Sequence, residues 1–557
     1  MSDEAVSSLD QARRFNYPRE WLRADVVAGL TTAAVVIPKS MAFAAIAGLP
    51  AEAGLYTALV PMLVYAMLGT SRPLSVSTTS TLAILTAGAL ATAAPNGSPD
   101  ELLSAASTLA LLVGAMLLLA SALRLGFVAN FISEPVLTGF KAGIGLVIVA
   151  DQIPKLLGVH FEKAGFFSDL LSIAEHLPAS SVPTVVLAVA TLALVFGAER
   201  FVPRAPAPLL AVIAGLAASG FFALESAGIE TVGTVRAGFP PPSLPDLSLV
   251  GVLWPAALGI ALMSFTETIA TGRTFVARGE PRPQADRELL ALGVANALGS
   301  FFRIMPAGGG ASQTAVNRRA GAKSQAAAVV AVAVVAGVLL FLAPIVALLP
   351  QATLAAVVVA TTVGLMNPRD FRTIRAVRHV EFRWAVVALV GVVVLGSLNG
   401  ILVAVVVSLL ALVYHSNHPP VHALARKPGT NVFRPRSAEH PQDEVFPGLL
   451  IVRTEGRIHF ANAQRVGDKI WPLVRTAQPK VVVLDCSAVP DIEYTALRML
   501  TDAEEKLRDA GIALWLAALN PEALRVIERA PLGKTLGHGR MFFNLDEAIA
   551  SWSGKAT

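Results

Sequence analysis

Apolar runs of spanning length, each near the ~20 residues that cross a bilayer as a helix, fill the chain from residue 24 to residue 415. They predict helices near 24–47, 53–69, 78–94, 103–123, 131–151, 181–198 and 207–224, then near 250–272, 287–302, 309–319, 325–349, 352–366, 384–398 and 400–415. The segments at 78 and 309 are shorter than a full span. Seven helices per half, an odd number, invert the second half relative to the first, which is a transporter design with its site where broken helices meet at the midplane. The fold class expected is therefore a polytopic α-helical membrane protein with a 7+7 inverted repeat, 14 transmembrane segments and two half-helices.

After His415 the pattern changes. His415-Ser416-Asn417-His418-Pro419-Pro420 breaks the last helix, and a polar stretch over 416–447 reads as a linker. From Gly448 onward, strand-like runs at Leu449 to Thr454, Val481 to Asp485 and Ala513 to Leu516 alternate with helical ones around Ala463 to Thr476, Thr495 to Ala510 and Pro521 to Arg529. Such alternation predicts a small α/β domain over 448–557. The division expected is thus 1–23 as a polar N-terminal segment, 24–415 as the transmembrane domain, then linker and tail.

Composition agrees. Of 557 residues 54% are hydrophobic and only 15% charged, against about 25% charged in soluble domains. The single cysteine, Cys486, rules out an intrachain disulfide and suits a reducing compartment. No apolar core followed by a small-residue cleavage site opens the chain, so no cleavable signal peptide is expected. The net charge of +5 is scattered over membrane-flanking loops without interleaved aromatics, which argues against nucleic acid as a partner. One set of loops holds Arg72, Arg124, Arg200, Arg204, Arg273 to Arg287, Arg318 to Lys323 and Arg369 to Arg383, beside Arg13, Arg14, Arg19 and Arg23 at the N-terminus. The opposite set holds mainly Lys155, Lys163, Arg236 and Arg303. The positive-inside bias places the N-terminus and the tail in the cytoplasm.

Two segments at equivalent places in the halves carry the candidate chemistry. Pro73 to Thr81 begins extended and β-branched and enters a helix through hydroxyls, with Ser77, Thr78 and Thr79 at its start. Met305 to Thr314 follows an apolar helix and opens another through Gly309, Gly310, Ala311, Ser312 and Gln313. Free N–H groups and the positive ends of two helix dipoles, facing one another, make an anion site with little need for buried cations.

The chain resembles the SulP family of anion transporters over nearly its whole length. The resemblance rests on Asp25-Val26-Val27-Ala28-Gly29-Leu30, Ile37-Pro38-Lys39-Ser40-Met41-Ala42, Gly48-Leu49-Pro50 with Gly54-Leu55-Tyr56, Gly69-Thr70-Ser71-Arg72, and Phe131-Ile132-Ser133-Glu134-Pro135-Val136. It continues in Glu288-Leu289 with Gly293-Val294-Ala295-Asn296, and in Ala315-Val316-Asn317 with Ala320-Gly321-Ala322. The tail is similar to a STAS domain in Leu484-Asp485-Cys486-Ser487-Ala488-Val489-Pro490 and Ile492-Glu493-Tyr494-Thr495-Ala496-Leu497.

Membership would imply core and gate subdomains, an anion held between the N-termini of the third and tenth segments, alternating access and a homodimer. It would place the protein in a bacterial inner membrane. In two places the sequence departs from the family's pattern: Lys39 stands where the family has Gln, and Gln313 where it has Arg. Lys39 is expected to supply the fixed positive charge, with Phe43 one turn on as a lining aromatic.

Glu267, buried in the eighth predicted span between hydroxyl neighbours, is the expected coupling site for H⁺ or Na⁺, with Thr271 beside it in the same role. Glu134, Lys141 and Asp151 on the fifth span, and Arg303 before the second broken element, are expected to be structural, gating or anchoring residues. The tail has no P-loop, GxSxG, HExxH or metal-ligand spacing, so neither an enzyme, a metal nor a cofactor is expected. The partners implied are a small inorganic or carboxylate anion (sulfate, bicarbonate or a C4-dicarboxylate), H⁺ or Na⁺, the bilayer, a second copy and a cytoplasmic partner of the tail. Alternatives are a nucleobase permease of the same fold and a transport-inactive sensor signalling through the STAS domain.

Overall fold

The computed structural model describes residues 17–555 apart from 131–132, 162–164, 203–205, 223, 234 and 365. Expectations placed on Arg13, Arg14, Phe131, Ile132, Lys163 and Arg204 lie outside the described residues. Packing divides the chain between Leu409 and Leu410 into two units.

The first unit is helical. Its elements are α1 (Leu22–Ile46), α2 (Ala51–Leu68), β1 (Val76–Ser77), α3 (Ser80–Ala93), α4 (Pro99–Ala122), α5 (Glu134–Leu157), α6 (Phe166–His176), α7 (Val182–Phe201) and α8 (Ala207–Phe222). The second half runs through α9 (Val250–Thr274), α10 (Ala285–Gly299), β2 (Gly308–Gly309), α11 (Ala311–Arg319), α12 (Ala326–Gly337), α13 (Gln351–Val363), α14 (Pro368–Val377) and α15 (His379–Ser416), whose residues from Leu410 on fall in the second unit. α12 continues through a π turn at Val338–Leu342 into Ala343–Val346. Among the described residues, nine helices are long and apolar enough to cross a membrane.

Every predicted apolar run has a helix. The runs at 384–398 and 400–415 form one stretch, α15, broken where Gly396 takes φ 83° and ψ 164°, a conformation that costs glycine little. Two helices were not predicted, α6 and α14. Both are short and carry charges within the turn, as in Asp169 and Glu175 of α6 and Arg369 to Arg375 of α14, so they lack the uniform apolarity that marks a span.

Helix starts follow local chemistry. Ser98 and Glu101 close a capping box on α4, Ser133 caps α5 through the N–H of Val136, and Thr79 caps α3 through the N–H of Leu82 at 3.2 Å; each satisfies N–H groups that a helix leaves open. Large apolar side chains also cover the outside of the unit, among them Met67, Phe201, Phe221 and Phe341. An apolar exterior of this kind is what lipid contact requires.

Inside the unit, buried carboxylates are held by donors from distant segments. Glu288 on α10 accepts from Tyr65 Oη at 2.8 Å, from the N–H of Thr70 at 2.8 Å and from the Thr70 hydroxyl. Asp25 on α1 accepts from the N–H groups of Lys323 and Ser324, from the Ser324 hydroxyl and from Tyr17 Oη. A buried charge tolerated this way fixes the segments that supply the donors.

The second unit is an α/β sandwich. β3 (Val421–Arg426), β4 (Phe433–Pro435), β5 (Leu449–Thr454), β6 (Val481–Asp485), β7 (Ala513–Ala517) and β8 (Met541–Phe542) form one sheet in the order β4-β3-β5-β6-β7-β8. β5 through β8 run parallel, and β3 pairs antiparallel with both β4 and β5. α16 (Ala463–Ala477), α17 (Tyr494–Asp509), α18 (Pro521–Glu528), α19 (Pro531–Leu536) and α20 (Leu545–Lys555) complete it.

Alternation along β5 sends Leu450 and Val452 into the core that holds Ala496, Leu507 and Ile527, and Leu449 and Ile451 into the core that holds Trp515, Leu545 and Ile549. Both faces are covered, as a parallel sheet requires. The stretch read as a linker is a correction: 416–447 contains β3 and β4, and Val421 already pairs with Thr454.

Candidate functional site

β1 and β2 bring the two predicted broken elements together. They pair antiparallel, Val76 opposite Gly309 and Ser77 opposite Gly308, and each leads straight into a half-length helix, α3 and α11. Glycine is needed at the crossing. A Cβ on Gly309 would lie 2.9 Å from the Thr268 Cα, and one on Gly308 2.8 Å from the Ser264 hydroxyl. The Gly309 N–H donates to Thr268 Oγ1 at 2.8 Å, and Ser264 Oγ donates to the Ala307 carbonyl at 2.7 Å, so α9 carries the crossing on its hydroxyls.

Gln313 fastens the second element to the first. Its Nε2 donates to the Ser75 carbonyl at 2.9 Å and its Oε1 accepts from Ser77 Oγ at 3.0 Å. The Gly310 N–H donates to the same Ser75 carbonyl, and the Ser75 N–H to Thr314 Oγ1. Gln313 and Ser77 are therefore buried struts of the crossing, with their side-chain polar atoms engaged on one another. Gly309 belongs to the strand and Gly310 to the cap, so α11 opens at Ala311, two residues later than the apolar pattern suggested.

The starts of the half-helices differ. Thr79 closes α3 with its hydroxyl, whereas Gly310 has no side chain with which to cap α11. Ala311 and Ser312 are exposed while Gln313 and Thr314, one residue further, are buried. Lys39, only 8% exposed on α1, donates from Nζ to Ser312 Oγ at 2.8 Å. An uncapped helix start, an open approach and one ammonium thus coincide. Phe43, one turn beyond Lys39, is buried in the main core.

Glu267 faces the other start. Its two carboxylate oxygens accept from Thr79 Oγ1 at 3.0 Å and from Thr81 Oγ1 at 2.9 Å, so the residue that caps α3 is itself tied to α9. No ion pair joins Lys39 and Glu267 among the described residues. Thr78 is buried, and its hydroxyl has no hydrogen-bond partner among the described residues. Thr271 is buried one turn along α9 from Glu267, without a side-chain hydrogen bond to it among the described residues. Arg303 pairs with Asp100 at 2.9 Å, an anchoring contact away from the crossing.

Several positioning residues escaped the sequence reading. Thr57 Oγ1 accepts from the Met305 N–H, Asn296 accepts from the Ala307 N–H and donates to its carbonyl, and Asn317 donates to the Pro73 carbonyl while accepting from Thr32. Asn296 and Asn317 stood only within the resembling motifs. The available signal was the isolated polar residue in an apolar span, which membrane helices keep for a reason.

Residues 22–388 match the Sulfate permease family, and residues 440–548 match the STAS domain. A "Probable sulfate transporter" of Mycobacterium tuberculosis is 35% identical over 541 residues, covering 96% of each chain. High affinity sulfate transporter 1 of Stylosanthes hamata is 27% identical over 567 residues, with 97% of this chain and 85% of that one covered. Among solved structures, the murine solute carrier 26 family member A9 anion transporter in the inward-facing state superimposes with a TM-score of 0.89 at 22% identity, over 99% of this chain and 95% of that one. The transmembrane domain of a cyanobacterium bicarbonate transporter, BicA, superimposes with a TM-score of 0.60 at 22% identity, over 70% of this chain and 98% of its own. At that identity the two structures speak for the fold.

Proposed function

The chain belongs to the sulfate permease family, a family of transporters, and from that premise we propose that it is a secondary active transporter of a small anion, with sulfate the first candidate. The carrying observation is Lys39 Nζ at 2.8 Å from Ser312 Oγ, beside the uncapped start of α11. Backbone N–H groups at a helix start bind anions without ordering new donors, and an ammonium at the same place adds the fixed charge that Gln313 lacks. The substrate would sit between the starts of α3 and α11, held by the N–H groups of Ala311 and Ser312 and by Lys39. Sulfate is favoured over bicarbonate and C4-dicarboxylates because the 35% identical mycobacterial relatives are probable sulfate transporters.

Coupling to H⁺ or Na⁺ is assigned to Glu267. Its carboxylate bonds to Thr79 and Thr81 at the mouth of α3, so a change in its charge acts on the helix start opposite Lys39. Core and gate then move relative to one another to expose the site alternately. The same reading includes a homodimer in a bacterial inner membrane, with the N-terminus and STAS domain cytoplasmic and a partner for that domain; family membership and the distribution of Arg and Lys support it.

The test is uptake of labelled sulfate, bicarbonate and succinate by proteoliposomes holding the purified chain, with and without imposed pH and Na⁺ gradients. Gradient-driven accumulation of sulfate is expected. Binding of an anion without flux of any would replace transport by the membrane-sensor reading.

A further inference from the structure

A cavity of ≈ 810 Å³ opens in the first unit between the start of α1, the end of α2 and the start of α12. Its wall divides by chemistry. One side is apolar and outward-facing, with Met67 70% exposed and Val329 also exposed. The other side is Arg72 and Ser71, in the segment that leads into β1.

Arg72 lies with its guanidinium 5.6 Å from the centre of the Trp21 ring, a cation–π geometry that orients it without neutralising it. No carboxylate pairs with Arg72 among the described residues. Glu280, an acidic group whose charge reaches it, is held by both Nη atoms of Arg318 at 2.9 Å, and Asp25 is occupied by Tyr17, Lys323 and Ser324. Arg19 and Arg23, both exposed, flank Trp21. Ser71 and Gln325 each keep one buried polar atom without a hydrogen-bond partner among the described residues, and native structures rarely leave such groups bare.

We propose that this cavity binds an anionic phospholipid, its phosphate on Arg72 and its acyl chains along Met67 and Val329. A guanidinium that pairs with no carboxylate among the described residues, set over an aromatic ring where an apolar exterior gives way to basic residues, matches an amphiphile with a negative head. A soluble phosphate would use the arginine and leave the apolar wall uncovered. A zwitterionic lipid would cover the wall and bring its own cation to the arginine. The inference needs only that the chain spans a bilayer, so it stands or falls independently of whether an anion is carried.

Native mass spectrometry of the full chain in detergent, titrated with phosphatidylglycerol, phosphatidylcholine and glycerol 3-phosphate, tests it. One phosphatidylglycerol should be retained roughly tenfold better than phosphatidylcholine, the size expected of one charge-assisted contact. Arg72→Ala should erase that preference. Met67→Glu changes an exposed position, keeps the arginine, and should weaken phosphatidylglycerol through the carboxylate it adds to the rim, which guards against a folding defect in the first variant. Equal retention of the two lipids, an unchanged preference in both variants, or glycerol 3-phosphate binding as well as the lipid would each overturn the proposal.

Discussion

The Gly309 N–H donates to Thr268 Oγ1 at 2.8 Å, and a Cβ at Gly309 would stand 2.9 Å from the Thr268 Cα. The strand crossing therefore lies directly against the α9 backbone, tied to it by the Thr268 hydroxyl, with no room for a side chain at Gly309. Gly309→Ala should destabilise the protein by about 1–3 kcal/mol, the usual cost of overpacking a tight interior, and should separate β1 from β2. Thermal unfolding in detergent measures the first effect, and anion affinity the second. A melting temperature and affinity equal to wild type would mean the crossing is looser than its geometry indicates.

Glu267 accepts from two threonines of one helix start. Glu267→Gln keeps the shape and removes the carboxylate, so uptake should lose its response to an imposed pH gradient while anion binding stays within about twofold of wild type. The measurement is initial uptake across a series of outside pH values. An unaltered pH profile would take the coupling role from Glu267.

In the STAS unit, Arg434 binds Asp443 through Nε at 2.7 Å and Nη2 at 2.8 Å. The bidentate guanidinium holds the Asp443 carboxyl below its usual value of 3.8. Because the folded carboxylate is the more acidic, its stabilisation is complete above pH 3.8 and fades as pH falls through the lowered value. Asp443→Asn should lower the unfolding temperature at neutral pH, with the gap to wild type closing in acid. A gap independent of pH would assign the effect to packing.

Cys486, the single cysteine of the chain, is 0% exposed. Burial first, and the neighbouring Asp485 second, push its thiol up to about 12, so at neutral pH it is neither accessible nor a thiolate. N-ethylmaleimide should leave the native chain unlabelled and react only as the STAS unit unfolds, giving a site-specific reporter of that unit. Rapid labelling under native conditions would contradict the buried placement.

The spans were legible because lipid demands uniform apolarity over spanning length, a signal that needs no knowledge of partners. α6 and α14 were not, being short, charged and free of that demand. β3 hid behind Pro419-Pro420 in a polar stretch, and its assignment depends on pairing with β5, a contact that local pattern does not carry. At the site, residue chemistry pointed to the two broken elements and to Lys39 and Glu267 as unusual. It did not reveal that Glu267 meets Thr79 and Thr81, 188 and 186 residues away, nor that Gln313 and Ser77 are struts bonded to one another.

Lys39 is the cation on which the proposed anion site depends, and removing or keeping its charge tests that role directly. Sulfate uptake into proteoliposomes would be compared for wild type, Lys39→Gln and Lys39→Arg. Lys39→Gln should reduce uptake at low sulfate at least about tenfold, the scale of one lost charged hydrogen bond, and Lys39→Arg should retain part of it by keeping a cation beside Ser312 at the start of α11. Full uptake by Lys39→Gln would contradict the account, because the helix start would then bind the anion without the charge placed beside it.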